Sequence, residues 1–312
     1  MPSDFAADLS HNALIAVAGD DATAFLHAQF TNDVQALQVG EAQWNGWCSP
    51  KGRLLATFLL MRRADGYLIM LPAEIAPAVA KRLAMFVLRS KVKIQDVSEL
   101  YARIGIAGKN AGAFVASRWG AKPHAMRAVE KDGAVCVALD DDRFVALVPP
   151  GAAPAFWDLF SKDWLRGGAD EWERASILAG VPTIVAATQE AFIPQMANFE
   201  LIGGVSFKKG CYPGQEIVAR MQYRGGLKRR MALTHLAGNE RPAPGQSVYS
   251  TAFGDQAAGT IVNAAPSPEG GFDALVVAQL ESLAQGDLRW NSPQGPKLEI
   301  RSRPPLANEA AT

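Results

Sequence analysis

The chain has 312 residues, of which 49% are hydrophobic and 20% are charged, so it has a globular composition and enough length for two or three domains. Basic and acidic residues both number 31, which excludes a chain-wide charge that would attract a highly charged partner. No apolar stretch approaches the roughly 20 residues of a membrane span, and the acidic N-terminus and three scattered cysteines argue against a targeting peptide and a disulfide scaffold. We therefore expect a cytoplasmic protein without a membrane partner.

The first hundred residues predict an α+β unit. GDDATAFLHAQF (19–30) predicts a helix with Asp20 or Asp21 as its N-cap. RLLATFLLMRRADGYLIMLP (53–72) predicts a β-hairpin around an Asp-Gly turn at 65–66. EIAPAVAKRLAMFVL (74–88) then predicts an amphipathic helix.

Residues 101–164 alternate between strand and helix patterns in the order β-α-β-β-β-α, which is typical of a ferredoxin-like unit. DEWERASILAG (170–180) predicts a further helix, whereas short strands between Gly- and Pro-rich turns follow residue 229 and predict a small β-barrel without helices. We therefore divide the chain into an N-terminal subdomain (1–100), a ferredoxin-like subdomain with a cysteine loop (101–228), a β-barrel (229–305) and a tail (306–312).

Several common kinds of site are absent from the sequence. There is no P-loop, no GxGxxG fingerprint, no HExxH metal motif and no GxSxG nucleophile elbow. The four histidines are isolated and the cysteines are far apart, so we expect no metal site within one chain; an iron–sulfur cluster shared by two chains is the alternative.

The most unusual segment is SFKKGCYPGQEIVARMQYRGGLKRR (206–230), which places Cys211 among charges and turn residues. From 208 to 230 there are seven basic residues against one acidic residue, a local net charge of 7 − 1 = +6. Nearby cations favour a thiolate, and the turn around Gly210, Pro213 and Gly214 would expose the sulfur. The alternative is a basic surface loop with an incidental cysteine. The basic residues are Lys208, Lys209, Arg220, Arg224, Lys228, Arg229 and Arg230.

KKGCYPGQEIVAR (208–220) strongly resembles the signature of the YgfZ family. PQMANFELIGGVSF, FLHAQFTNDV and WCSPKGRLL resemble further blocks of that family, so the resemblance covers nearly the whole chain. LKRRM and the short strands after it are similar to the barrel of a larger relative, the glycine-cleavage T-protein.

This resemblance implies a T-protein-like α+β fold, a ring of three subdomains around a folate cavity, with ferredoxin-like subdomains and a C-terminal β-barrel. It implies a protein that binds a reduced folate and supports the assembly or repair of iron–sulfur enzymes, including some that modify tRNA. It assigns the reactive position to Cys211, with Lys209 beside it. The other residues that match the signature are Gly210, Gly214, Gln215, Glu216 and Arg220.

Tetrahydrofolate or a derivative is therefore the expected cofactor, and its chemistry selects candidate contacts. The aminopyrimidine edge needs hydrogen-bonding partners and the glutamate tail needs cations. Glu200 is our leading candidate for the edge, although an exposed acid beside a turn is the alternative, and the resemblance implies that an amide can replace it. Asn198 is a second candidate for the edge, as a helper of Glu200. Each further candidate has a structural alternative in capping, turn formation or hairpin entry. These are Gln29, Asn32, Asp33, Lys51 and Arg53.

Three functions remain open. The first is a folate-dependent protein with Cys211 as its reactive thiol, whose partners are iron–sulfur client enzymes or assembly proteins. The second is an aminomethyltransferase like the T-protein; that enzyme needs an acidic residue on the strand matching LLATFLLM, and residues 54–61 contain none. The third is an RNA-binding module, which we favour least because the basic segment offers only Tyr212 and Tyr223 for base stacking.

Overall fold

The computed structural model describes residues 4–160, 162–223 and 225–304. The predicted tail (306–312) and Arg224 of the basic segment lie outside the described residues. Seven α-helices occur in the described part of the chain. They are α1 (Ala22–Gln29), α2 (Ala76–Ala84), α3 (Ala111–Trp119), α4 (Ala153–Trp157), α5 (Ala169–Leu178), α6 (Gln215–Tyr223) and α7 (Leu280–Gln285).

The same residues form seventeen β-strands, which confirms the mixed α+β class. In chain order they are β1 (Phe5–Asp8), β2 (Asn12–Ala18), β3 (Ala42–Cys48), β4 (Leu54–Arg63), β5 (Gly66–Pro72), β6 (Lys93–Asp96), β7 (Ala102–Ala107), β8 (Ala128–Lys131), β9 (Ala134–Ala138), β10 (Arg143–Val148), β11 (Leu165–Gly167), β12 (Arg229–Leu236), β13 (Ser247–Tyr249), β14 (Gly259–Pro266), β15 (Phe272–Gln279), β16 (Leu288–Trp290) and β17 (Lys297–Ser302).

The chain forms two compact units, each described separately below. The first comprises Met1–Asn45 and Phe58–Trp172, and the second comprises Gly46–Thr57 and Glu173–Thr312. Residues 46–57 are the end of the β3–β4 hairpin, so this short piece of the N-terminal half belongs to the C-terminal unit.

The first unit contains a six-stranded sheet in the order β11-β1-β7-β10-β9-β8. Strands β7 to β10 follow the ferredoxin-like pattern predicted from 101–164, and helices α3 and α4 pack their apolar faces on this sheet around Phe144 and Phe156. Strand β1 pairs antiparallel with β7, Phe5 opposite Ala107, which adds an N-terminal strand that the local pattern did not predict.

A second sheet has the order β3-β4-β5-β2-β6. The hairpin of β4 and β5 turns at Asp65–Gly66, with Arg63 opposite Gly66, as the sequence predicted. Gly66 has φ +141°, a conformation that glycine adopts readily, and a Cβ there would lie 2.6 Å from the Val17 carbonyl oxygen. The turn therefore needs glycine both for its backbone and for the close approach of β2.

The C-terminal barrel of the second unit is closed, in the order β12-β15-β14-β13-β16-β17, so it leaves no sheet edge unpaired. Its interior is filled by alternate strand residues such as Ile261, Val276 and Leu298, all with at most 1% of their surface exposed. The predicted barrel is thus confirmed. The short helix α7 after β15 was missed, because six residues carry too little periodicity to distinguish a helix from a turn.

Two predicted helices differ in detail. Asp21 precedes α1 but makes no capping hydrogen bond; its carboxylate accepts instead from the Lys91 backbone N–H at 2.7 Å. Helix α2 ends at Ala84, four residues before the predicted end, and the chain continues as a turn. Among the described residues, no helix combines the length and the apolar character that crossing a membrane requires.

Candidate functional site

The cysteine motif packs closely against the β3–β4 hairpin at two glycines, Gly52 and Gly214. A Cβ on Gly214 would lie 2.4 Å from the Ser49 carbonyl oxygen and 2.5 Å from the Gly52 Cα, and a Cβ on Gly52 would lie 2.8 Å from the Ile217 Cβ. Both glycines have positive φ, +80° and +68°. Only residues without a side chain permit this approach, so the two sequence blocks CSPKGR and CYPGQE form one piece of structure.

Cys211 is an exposed free cysteine in the turn that leads into α6. Lys209 is buried, and its Nζ lies 4.9 Å from the centre of the Tyr212 ring, within the range of a cation–π contact. Burial raises the pKa of Tyr212, and the neighbouring Cys48 thiol acts in the same direction. The turn thus anchors a lysine and a tyrosine inward and presents the sulfur of Cys211 outward.

The other two cysteines are buried. Cys48 belongs to the apolar cluster of the second unit that includes Leu54, Ile177 and Phe192, and Cys136 lies in the core of the first unit. Burial raises the pKa of both thiols. A buried neutral thiol packs as a small apolar group, so both cysteines serve as core residues.

Helix α6 carries the rest of the motif. Gln215 donates from Nε2 to the Lys209 carbonyl oxygen at 3.4 Å, which closes the turn around Cys211. Glu216 and Arg220 form a 2.9 Å ion pair on the outer face, where exposure limits its energetic value. Val218 faces inward and is fully buried. The motif glutamate and arginine therefore pair with each other on the helix surface.

The side chain of Glu200 is buried and only half of its carboxylate is hydrogen-bonded. Its Oε1 accepts a short hydrogen bond from Arg230 Nη1, and its Oε2 is buried with no hydrogen-bond partner among the described residues. Its side chain is only 8% exposed. Burial raises the pKa of the Glu200 carboxyl, and the Arg230 guanidinium opposes this rise without cancelling it. The carboxylate is therefore positioned on one side and lacks a donor on the other.

Asn198 and Gln195 support Glu200. The Asn198 amide donates to the Met231 carbonyl oxygen at 2.8 Å and accepts from the Met231 N–H at 3.3 Å, so it pairs with β12 as a strand residue would. Gln195 donates from Nε2 to the Val218 carbonyl oxygen at 2.7 Å, and its Oε1 is buried without a partner in the described structure. Gln195 thus ties the segment before Glu200 to the helix of the cysteine motif.

The two cations of the hairpin have different surroundings. Arg53 donates from Nη1 to the carbonyl oxygens of Glu190 and Ala191 at 3.1 Å and 2.7 Å, which fastens the base of the hairpin. Lys51 is exposed at the hairpin tip. The contacts of Arg53 favour the structural alternative for its guanidinium, and a folate contact by Lys51 stays a prediction.

The candidates in the first unit lie at the last residue of α1 and directly after the helix. Asn32 accepts the Asp33 N–H, and its own amide donates to the Trp44 carbonyl oxygen at 2.9 Å. Asp33 accepts the Ala36 N–H at 3.1 Å, so both side chains shape the turn. Gln29 differs, because its Oε1 is buried with no partner in the described part of the chain. Of these three residues, Gln29 has the side chain best suited to accept a ligand hydrogen bond.

Sequence reasoning missed two residues that build this site. Arg230 was counted only as a charge of the basic segment, although it orients Glu200. Gln195 was not considered, although a polar residue with apolar neighbours on both sides in PQMANF is a signal that the sequence offers; the structure shows it buried. The partner of each side chain lies at least 23 residues away in sequence, which local patterns do not reveal.

A cavity of about 350 Å³ lies in the second unit beside Asn198 and Met231. Its walls are largely apolar and include Ile177, Leu201 and Leu275. Glu200 is not among the described residues that line it, so this cavity does not account for the unpartnered carboxylate oxygen. No group of three or more metal-ligating side chains occurs in the ranges that the structure describes.

The chain is similar to known proteins both in sequence and in fold. Residues 5–130 match the family described as GCVT N-terminal domain. The crystal structure of glycine cleavage system aminomethyltransferase T from Bartonella henselae is similar, with a TM-score of 0.76 and 17% sequence identity over 96% of this chain and 85% of that chain. The chain therefore has the T-protein-like fold that the sequence predicted.

Two curated relatives carry the name tRNA-modifying protein YgfZ. The one from Enterobacter sp. (strain 638) is 33% identical over 235 residues, which cover 74% of this chain and 71% of the relative. The one from Serratia proteamaculans (strain 568) is 28% identical over 297 residues, which cover 94% of this chain and 89% of the relative. Identity of this extent over most of both chains shows that the protein belongs to the YgfZ family.

Proposed function

We propose that this protein binds a reduced folate, with Glu200 as the residue that accepts a hydrogen bond from the aminopyrimidine edge of the pterin. The observation that carries the proposal is the buried Oε2 of Glu200, which has no hydrogen-bond partner among the described residues. A buried acceptor without a donor costs free energy, and such atoms persist where a ligand supplies the missing donor.

The surroundings of Glu200 suit this role. Arg230 donates to the other carboxylate oxygen, and Asn198 hydrogen-bonds both the Arg230 guanidinium and the backbone of Met231. The free oxygen is therefore oriented before a ligand arrives. A pre-oriented acceptor loses little conformational entropy on binding. Gln195 Oε1 is a second buried acceptor in the same unit. Both acceptors are of the chemical type that folate N–H groups require.

We further propose that the protein supports iron–sulfur enzymes through the thiol of Cys211, and that tRNA-modifying enzymes are among its clients. An exposed cysteine on a glycine-rich turn is accessible to a partner protein, whereas the two other cysteines are not. The exposed Lys208 lies nearby in a segment of net positive charge. The name of these relatives, tRNA-modifying protein, supports the choice of clients.

Aminomethyl transfer of the T-protein type is the alternative, and the sequence of β4 disfavours it. Leu54–Met61 contains no acidic residue and all of its side chains are buried. A carboxylate that could meet an aminomethyl nitrogen is therefore missing from this strand. Glycine-dependent aminomethyl transfer by the purified protein would favour the alternative over our proposal.

Tetrahydrofolate is expected to raise the thermal midpoint of the purified protein by several degrees, because a ligand at 100 times its Kd stabilises the native state by about 2.7 kcal/mol. Glu200→Ala is expected to abolish this shift, since both carboxylate oxygens are lost. Glu240→Ala, an exposed acid in a barrel loop, is the matched control and should keep the full shift. A differential scanning measurement that finds the full shift in Glu200→Ala would disprove the assignment.

Folate affinity is expected to fall on acidification at a higher pH than an ordinary glutamate, whose pKa is 4.5, would require. The reason is that burial raises the pKa of Glu200, so a proton occupies the acceptor oxygen earlier as the pH falls. Titration calorimetry from about pH 4 to pH 7 measures this dependence. The Glu200→Gln variant should lack this component, which separates it from the titration of the folate itself.

A further inference from the structure

The first unit exposes a short apolar ridge after α2, formed by Met85, Phe86 and Leu88. The exposed fractions of these residues are 62%, 43% and 89%, and Leu88 has the largest exposed fraction of the large hydrophobic residues in the described chain. Leu88 also has φ +47°, a left-handed conformation that is uncommon for a leucine. Three neighbouring apolar side chains held in solvent, one of them on a strained backbone, indicate a contact surface.

The residues that flank the 85–88 ridge in sequence are rich in cations. From residue 75 to residue 95 the chain has five basic residues and no acidic residue. Asp20 and Asp21 lie nearby, Asp20 in a 3.0 Å ion pair with Lys91, so the local net charge is 5 − 2 = +3. The partner of this surface should therefore be acidic. The five cations are Lys81, Arg82, Arg89, Lys91 and Lys93.

An open groove of about 940 Å³ lies beside the ridge, between α1 and residues 88–90, which follow α2. Ala24, Phe25 and Leu88 supply its apolar lining, and Asp21 and Arg89 supply its charged lining. A side chain of a partner protein can enter such a groove and bury apolar area there, as interface hot spots do. The groove is lined by Asp21, Ala24, Phe25, Leu88, Arg89 and Ser90.

We propose that the 85–88 ridge and this groove are the docking surface for an acidic protein that inserts an apolar side chain. Three other occupants fit less well. A second copy would bring two surfaces of net charge +3 together, RNA would find one exposed ring, Phe86, where base stacking uses several, and a flat bilayer would leave the groove unfilled. The inference rests on the proposed function, in which the partner is an iron–sulfur client or assembly protein.

The experiment measures rescue of an iron–sulfur enzyme in cells that lack their own family member. Leu88→Ser and Arg89→Glu are expected to lower the rescued enzyme activity about tenfold or more, in line with the loss of an interface hot spot. Leu100→Ser and Lys109→Glu are matched controls on exposed residues of the same unit and should rescue fully. All four variants should keep the tetrahydrofolate-induced thermal shift, since no folate candidate is altered.

Full rescue by both Leu88→Ser and Arg89→Glu overturns the docking surface. Binding of the purified protein to vesicles of 70% phosphatidylcholine and 30% phosphatidylglycerol, or to a fluorescent oligouridine, overturns it as well if Leu88→Ser abolishes that binding. Failure of the proposed function is distinguishable, because Cys211→Ser would then rescue too. Loss of rescue in the two ridge variants, with full rescue by their controls and no vesicle or RNA binding through Leu88, supports the acidic protein partner.

Discussion

Cys211→Ser is expected to abolish rescue of an iron–sulfur enzyme in cells that lack their own family member, down to the level of an empty vector. The thiolate is the reactive form of cysteine, and a serine hydroxyl does not ionise near neutral pH. Because the side chain is exposed, the substitution should change the free energy of unfolding by no more than about 0.5 kcal/mol. The measured quantities are client activity in cells and the thermal midpoint in vitro.

Controls for this variant come from the same chain. Cys211→Ser must keep the tetrahydrofolate-induced thermal shift, which shows that the protein is folded and that the Glu200 region is intact. Cys48→Ser should behave differently, because a hydroxyl buried in an apolar cluster lowers stability by about 1–3 kcal/mol. Full rescue by Cys211→Ser would reduce its thiol to an incidental surface group.

Gly214→Ala is expected to lower the free energy of unfolding by about 2–4 kcal/mol, because an alanine there is strained at φ +80° and its Cβ overlaps the hairpin backbone. The overlapping atoms are the Ser49 carbonyl oxygen and the Gly52 backbone, which cannot rotate away as a side-chain end would. Chemical denaturation measures the loss, and the same variant should fail in the rescue assay because the turn that presents Cys211 moves.

Substitutions at two other glycines separate the effect of backbone strain from the effect of steric overlap. Gly254 has φ +56° but open space around its Cβ position, so Gly254→Ala should cost only the backbone strain, about 1 kcal/mol. Gly226 has neither a positive φ nor a close neighbour, so Gly226→Ala should be neutral or slightly stabilising. If Gly214→Ala is no worse than Gly254→Ala, the packing of the two loops contributes nothing to stability.

The parts of the fold that sequence reasoning found are those encoded by neighbouring residues. The Asp65–Gly66 hairpin, helix α5 and the strands of the barrel follow from turn residues and periodicity within about 20 positions. Strand β1 was not predicted because its partner β7 is about 100 residues away. The early end of α2 was missed because the apolar residues beyond it, which extend the helical pattern, face solvent at the 85–88 ridge.

The same distinction applies to the candidate site. The turn around Cys211 was predicted from Gly210, Pro213 and Gly214, and the structure confirms that this cysteine is exposed. The contact of Gly52 with Gly214 joins two segments that are 162 residues apart in sequence. The ion pair of Arg230 with Glu200 forms because Arg230 is the second residue of β12, which brings it to the segment around Glu200. Such contacts follow from tertiary packing, which a single sequence does not display.

The division of the chain into units has a consequence for protein synthesis. Residues 46–57 leave the ribosome more than a hundred residues before Glu173, where the rest of their unit begins. Domains usually fold as they emerge, at about 5–20 residues per second, so this hairpin end waits at least several seconds for its neighbours. The unit that bears Cys211 therefore reaches its final form only after the last barrel strand has been translated.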